Sequence, residues 1–89
     1  MDFAWIIEAI TASGLADKVS NLVEENKDQV DNIEEYVVDM VKNIILGNDK
    51  AAYKKYKKLK KPYDKLSAAR GLINKARAEK KKYDEFKDS

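Results

Sequence analysis

The chain has no cysteine and no histidine. Without cysteine there is no disulfide to hold a fold and no thiol to act as a nucleophile. Without histidine it lacks the usual zinc ligand, the Ser-His and Cys-His pairs, and the side chain best suited to moving protons near neutral pH. Proline occurs once and glycine three times. An all-β fold needs many more turns than these supply, whereas a few helices joined by short loops do not. No apolar run approaches the roughly 20 residues that cross a bilayer. The opening Met1-Asp2-Phe3-Ala4-Trp5 carries no basic region, and Glu8 interrupts the apolar residues after it, which argues against a secretory signal. The expectation is a cytoplasmic protein, or one acting inside a host cell.

What is present is 44% apolar and 38% charged side chains over 89 residues. The apolar share suits a folded protein, and the length suits one domain, residues 1–89, burying roughly 60% of its unfolded surface. So much charge confines the apolar residues to narrow stripes. The net charge of +2 conceals a division along the chain: residues 1–48 hold ten acids and three lysines (10 − 3 gives −7), and residues 49–89 hold fifteen bases and six acids (15 − 6 gives +9). The protein has an acidic half and a basic half.

The pattern predicts an all-α fold, a small bundle of four to five helices. The first runs from about Asp2, as N-cap, to Ser13, with Gly14 stopping it. Phe3, Ile6, Ile7 and Ile10 share one face, and Trp5, Ala9 and Ala12 another, so the helix is apolar nearly all round. A second covers about Leu15 to Glu25. Asn26 and Gln29 have the spacing of a capping box and mark a break before a third helix, about residues 28–46. There Val30, Ile33, Val37, Met40, Val41 and Ile44 follow a 3.6-residue period, Gly47 closes the helix, and the span is roughly 25 Å. A lysine-rich helix follows, about Lys50 to Lys60. Pro62 begins a last helix, about residues 62–86, after a kink at Lys61. The third and last helices are the longest. Leu59, Leu66, Ala69, Ile73, Ala76, Lys80 and Tyr83 form a heptad seam, with Pro62 at the missing position. Beside it runs a stripe of small residues, Ser67, Gly71, Asn74 and Ala78. A helix-interior glycine costs about 1 kcal/mol, so Gly71 points to close approach of another helix.

Two charged constellations carry the functional reading. Tyr53 and Tyr56 alternate with Lys54, Lys55, Lys57, Lys58 and Lys61, and Lys80, Lys81 and Lys82 form a second cluster. Lysines meet phosphates and tyrosines stack on bases in nonspecific nucleic-acid binders; equally, the tyrosines can face the core and leave the lysines a solvated surface. Sixteen lysines to two arginines argue against base-specific readout, which favours the bidentate guanidinium. On the acidic side Glu24, Asp28, Asp31, Glu35 and Asp39 recur every three or four residues. Like charges at this spacing repel, and a basic surface relieves them, whether the chain's own second half, another copy, or a basic site on a different protein.

Other chemistries find no support. There is no calcium-loop pattern, no Glu-x-x-His, no phosphate loop, no nucleophile elbow and no dinucleotide fingerprint. Adjacent acids such as Glu34 and Glu35 diverge by about 100° on a helix. The first helix lacks the basic polar face of a membrane-surface helix. The expectation is therefore a non-enzymatic helical protein-protein interaction module, acting on another protein or on a second copy of itself, with no metal, no cofactor, no small-molecule substrate and no membrane. Trp5, Leu66, Ala69, Gly71, Ile73, Ala76 and Tyr83 are the candidates for that contact. A nonspecific nucleic-acid binder is the first alternative, and an inhibitor presenting the acidic face to a basic site is the second.

Overall fold

The computed structural model describes residues 4–48, 50, 54 and 57–88, and five bounded α-helices and one 3-10 turn lie among these described residues. The helices are α1 (Ala4–Ser13), α2 (Leu15–Asn26), α3 (Ile33–Ile45), α4 (Lys60–Ala68) and α5 (Arg70–Asp88), with the 3-10 turn at Lys57–Leu59. Among the described residues there is no strand. The fold is the all-α bundle that the periodicity predicts.

The glycine stops work as expected. Gly14, at φ +87°, ends α1 and lets the chain turn straight into α2. Ser13 reinforces this corner: its hydroxyl donates to the Ile10 carbonyl and accepts from the Leu15 amide. At the end of α3, Gly47 has φ +79°. Its amide donates to the Ile44 carbonyl and the Asn48 amide to the Asn43 carbonyl, the paired bonds of a Schellman motif. The Asp2 cap and residues 51–53 and 55–56 of the expected Lys50–Lys60 helix lie outside the described residues; Lys50 and Lys54 are helical, and Lys57–Leu59 is a 3-10 turn in place of the α-helix expected there.

Two predicted boundaries are corrected. The third helix begins at Ile33 and not near residue 28, so it has 13 residues and spans about 20 Å. The capping box does not form. The Asn26 side chain is buried and turns back to donate to the Leu22 carbonyl at 2.7 Å, a local bond that competes with capping. Residues 27–32 form a turn that ends on Asn32 in the left-handed region, φ 63°. Asparagine tolerates that conformation and a β-branched residue does not. Asn32→Gly is therefore expected to change stability by less than about 0.5 kcal/mol, while Asn32→Val loses about 1–2 kcal/mol, read as the shift in denaturant midpoint at constant m-value.

The last helix, expected over about 62–86, is two helices. Their break is at Ala69 (φ −80°, ψ 56°), in addition to the one expected at Lys61, which falls two residues earlier at Leu59 (φ −113°, ψ 40°), where the 3-10 turn gives way to α4. The Ala69 amide donates to Leu66, closing α4, and its carbonyl accepts from Ile73, opening α5. Pro62 is buried in the first turn of α4, where its missing N–H costs nothing. The longest helix is α5, with 19 residues; α3 is barely longer than the 12-residue α2.

The core lies where the stripes converge. Ile6, Ala9 and Ile10 from α1, Leu15 and Leu22 from α2, and Ile33, Val37, Met40, Val41, Ile44 and Ile45 from α3 pack with Leu59, Tyr63, Leu66, Ile73 and Ala76. The most extensive helix contact joins α1 to α5, the first helix to the last. Small buried side chains on these two helices, Ala9, Ser13 and Ala76, allow their backbones to approach closely. The helices α2 and α3 pack on each other, and α3 also meets α4 and α5. The seam positions Leu59, Leu66, Ile73 and Ala76 are thus consumed by the chain's own core, with Ala69, Lys80 and Tyr83 half-buried at its margin. The expected small-residue contact is absent. Gly71 lies in the exposed first turn of α5, and a Cβ added there would meet nothing within 4 Å.

Candidate functional surfaces

Besides the apolar packing, three polar contacts among the described residues join the halves of opposite charge. The first is the Arg77 guanidinium on α5. Its Nε donates to the Ile45 carbonyl at 3.1 Å and its Nη2 to the Ile44 carbonyl at 2.9 Å. The last carbonyls of a helix have no intrahelical partner and carry the negative end of its dipole. The Schellman bonds already satisfy Asn43 and Ile44; Arg77 adds Ile45 and brings a full positive charge. Only a planar fork reaches two successive carbonyls at once. Nothing local in the sequence marks this role, beyond Arg77 being one of two arginines among sixteen lysines.

The second contact is Lys80 above the Trp5 ring, 5.3 Å from its centroid. Trp5 is half-buried against the core, and this pairing fixes α1 beside the middle of α5. Lys80 also pairs with Asp84 one turn on, and Lys82 pairs with Glu79 at 3.5 Å. The Lys80-Lys81-Lys82 cluster is therefore largely neutralised within its own helix. Of the three, Lys81 is exposed with no ion pair among the described residues.

The third is the ion pair between Lys65 on α4 and Glu25 on α2, at 3.2 Å, both more than half exposed. It stands on the border between two surfaces. On one side, Lys54, Lys57, Lys60 and Lys61 are exposed and make no ion pair among the described residues. Lys58 belongs to the same 3-10 turn as Lys57; Lys55, Tyr53 and Tyr56 lie outside the described residues. Tyr63 is buried and cannot stack on a base.

On the other side, the carboxylates expected on one helical face are distributed over three elements, because α3 starts late. Glu24 is at the end of α2, paired with Lys27. Asp28 and Asp31 belong to the turn, and Glu35 and Asp39 to α3. Asp28, Asp31, Glu34 and Glu35 are exposed without an ion pair among the described residues, while Asp39 is half-buried and engaged. No group of acids among the described residues is arranged to hold a metal ion.

Of the residues expected at a partner contact, Leu66, Ile73 and Ala76 are inside this chain, Trp5, Ala69 and Tyr83 are at the core's edge, and Gly71 is exposed. The large apolar side chains left outside are Ile7 (63% exposed), Phe86 (81%), Leu46 (41%) and Tyr36 (38%), each on a different stretch of chain. Exposed apolar side chains are normal on a protein surface. Among the described residues no helix is long and apolar enough to cross a membrane. No known protein family, curated protein or solved structure matches the chain.

Proposed function

We propose that the protein is a non-enzymatic helical interaction module, which engages another protein chain through its charged surfaces. One observation carries this reading: exposed Lys57, Lys60 and Lys61 near the 3-10 turn, and exposed Asp28, Asp31, Glu34 and Glu35, make no ion pair among the described residues. Oppositely charged surfaces on a rigid helical scaffold steer encounter and set orientation more than they add affinity. With the heptad seam spent in the core, charge is what the outside has to offer.

Affinity capture with the tagged chain tests the reading. The chain is expected to retain a protein partner at low salt and release it as salt rises. Reversal of Asp31 and Glu35 to Lys, or of Lys57 and Lys61 to Glu, is expected to abolish capture, since all four are exposed and the fold tolerates their exchange. Capture that survives both reversals excludes these surfaces.

Nonspecific nucleic-acid binding draws on the same lysines but fits the surface less well. The tyrosines of that reading, Tyr53 and Tyr56, lie outside the described residues, and the carboxylates beside Glu25 repel phosphate. A lysine surface that binds phosphates loses affinity steeply between roughly 50 and 200 mM salt. Anisotropy of a labelled random oligonucleotide is expected to show no binding even at the lower figure; a salt-sensitive micromolar isotherm would favour the nucleic-acid reading.

A further inference from the structure

We infer that the partner is a second copy of this chain, docked across a two-fold axis so that the acidic surface of each protomer covers the basic surface of the other. This names the partner of the interaction module proposed above and rests on that reading. Three observations carry it.

The first is charge balance. Residues 24–39 hold seven acids and one lysine (7 − 1 gives −6), and residues 50–65 hold eight lysines and one acid (8 − 1 gives +7). Two segments of one chain are thus nearly equal and opposite. The second is their placement. The Glu25–Lys65 ion pair, at 3.2 Å, marks the line along which the two surfaces adjoin. Glu25 leads directly into the acidic turn, and Lys61 is one helical turn before Lys65. Surfaces of opposite sign that lie side by side become self-complementary under a two-fold rotation, each half meeting its opposite. Poles at far ends of the molecule would instead join head to tail in an open chain. The third is that, beyond the Glu25–Lys65 pair, several charges of both poles stay unpaired among the described residues. Asp28, Asp31, Glu34 and Glu35 on one side, and Lys57, Lys60 and Lys61 on the other, have no ion pair among the described residues. A polyanion would satisfy only the basic half and be repelled by the other; a second copy satisfies both.

Such a dimer is held mainly by screened charges, so it forms at low ionic strength and dissociates at high. Sedimentation equilibrium of the wild-type chain is expected to give twice the monomer mass at about 10 mM ionic strength, where the Debye length is about 30 Å, and the monomer mass near 1 M, where it is about 3 Å. Two variants test the arrangement, one carrying Asp28→Lys, Asp31→Lys and Glu35→Lys, the other Lys57→Glu, Lys60→Glu and Lys61→Glu. Each is expected to be helical by circular dichroism and monomeric alone at low salt. Mixed in equal amounts they are expected to form a one-to-one heterodimer, because the first keeps its basic segment (+7) beside a neutralised acidic one (−6 + 6 gives 0), and the second keeps its acidic segment (−6) beside a nearly neutralised basic one (7 − 6 gives +1).

A wild-type chain that stays monomeric at low ionic strength overturns the dimer. So does a reversed variant that still self-associates, or a mixture of two helical variants that does not pair. Growth beyond a dimer overturns the two-fold arrangement. A monomeric wild type that still captures a different protein leaves the interaction-module reading standing and removes only the second copy as its partner.

Discussion

Ile73→Ala is expected to cost about 3 kcal/mol, within the about 2–5 kcal/mol range for removing most of a buried aliphatic side chain. Ile73 is fully buried and lies on α5, the helix that covers α1. Its truncation removes apolar contact and leaves a cavity under α5, which is pinned to α1 by the Trp5–Lys80 contact and to α3 by the Arg77 bonds, so the site collapses only in part. For a chain of this size the loss corresponds to a fall in melting temperature of roughly 4–8 °C per kcal/mol. The comparison is Ile7→Ala. Ile7 is 63% exposed on α1, and its truncation is expected to change stability by no more than about 0.5 kcal/mol. Thermal melts followed by circular dichroism separate the two. Equal effects would mean that the seam of α5 is not where the chain is held together.

Arg77 carries the second large effect. Arg77→Ala leaves the Ile45 carbonyl without its charged donor and removes the favourable charge from the end of α3. Hydrogen bonds to charged groups contribute about 1.5–3 kcal/mol, and Arg77 is part-buried, so a loss of about 2 kcal/mol is expected. Arg77→Lys is the informative partner. An ammonium keeps the charge but cannot bridge two carbonyls in the fixed geometry of a guanidinium, so it is expected to restore no more than about half. Full recovery by lysine would mean that charge near the helix end suffices. Amide exchange adds a local readout: protection in the last turn of α3 falls in Arg77→Ala more than protection in α2, because the bonds that are lost end on α3 and not on α2.

How far the sequence foretells this arrangement depends on whether the deciding signal is local. Gly14 and Gly47 take positive φ at the ends of α1 and α3, where glycine following a periodic stripe places a helix stop. Leu59, Leu66, Ile73 and Ala76 are buried at the positions that heptad counting selects. Ala69 shows the opposite case. Alanine is the best helix former, so nothing local predicts a break there. With α4 set against α3 and α5 against α1, the change of partner falls at Ala69. The start of α3 misleads for a related reason: Val30 keeps the helical spacing, yet Asn32 in the left-handed region interrupts the path.

The charged surfaces divide in the same way. Pairing of Lys80 with Asp84 and of Lys82 with Glu79 follows from spacings of four and three, a rule that already argues against an open lysine cluster there. The Glu25–Lys65 and Arg77 contacts join residues 40 and 32 to 33 positions apart. No local pattern encodes them.

The packing of α1 on α5 also orders events during synthesis. Ile6 is made 67 positions ahead of Ile73, which lies on the covering helix; at about 5–20 residues per second that is a wait of roughly 3–13 s. For that interval the most apolar helix of the chain emerges into the cell without its main cover, and a chaperone has its best opportunity to bind.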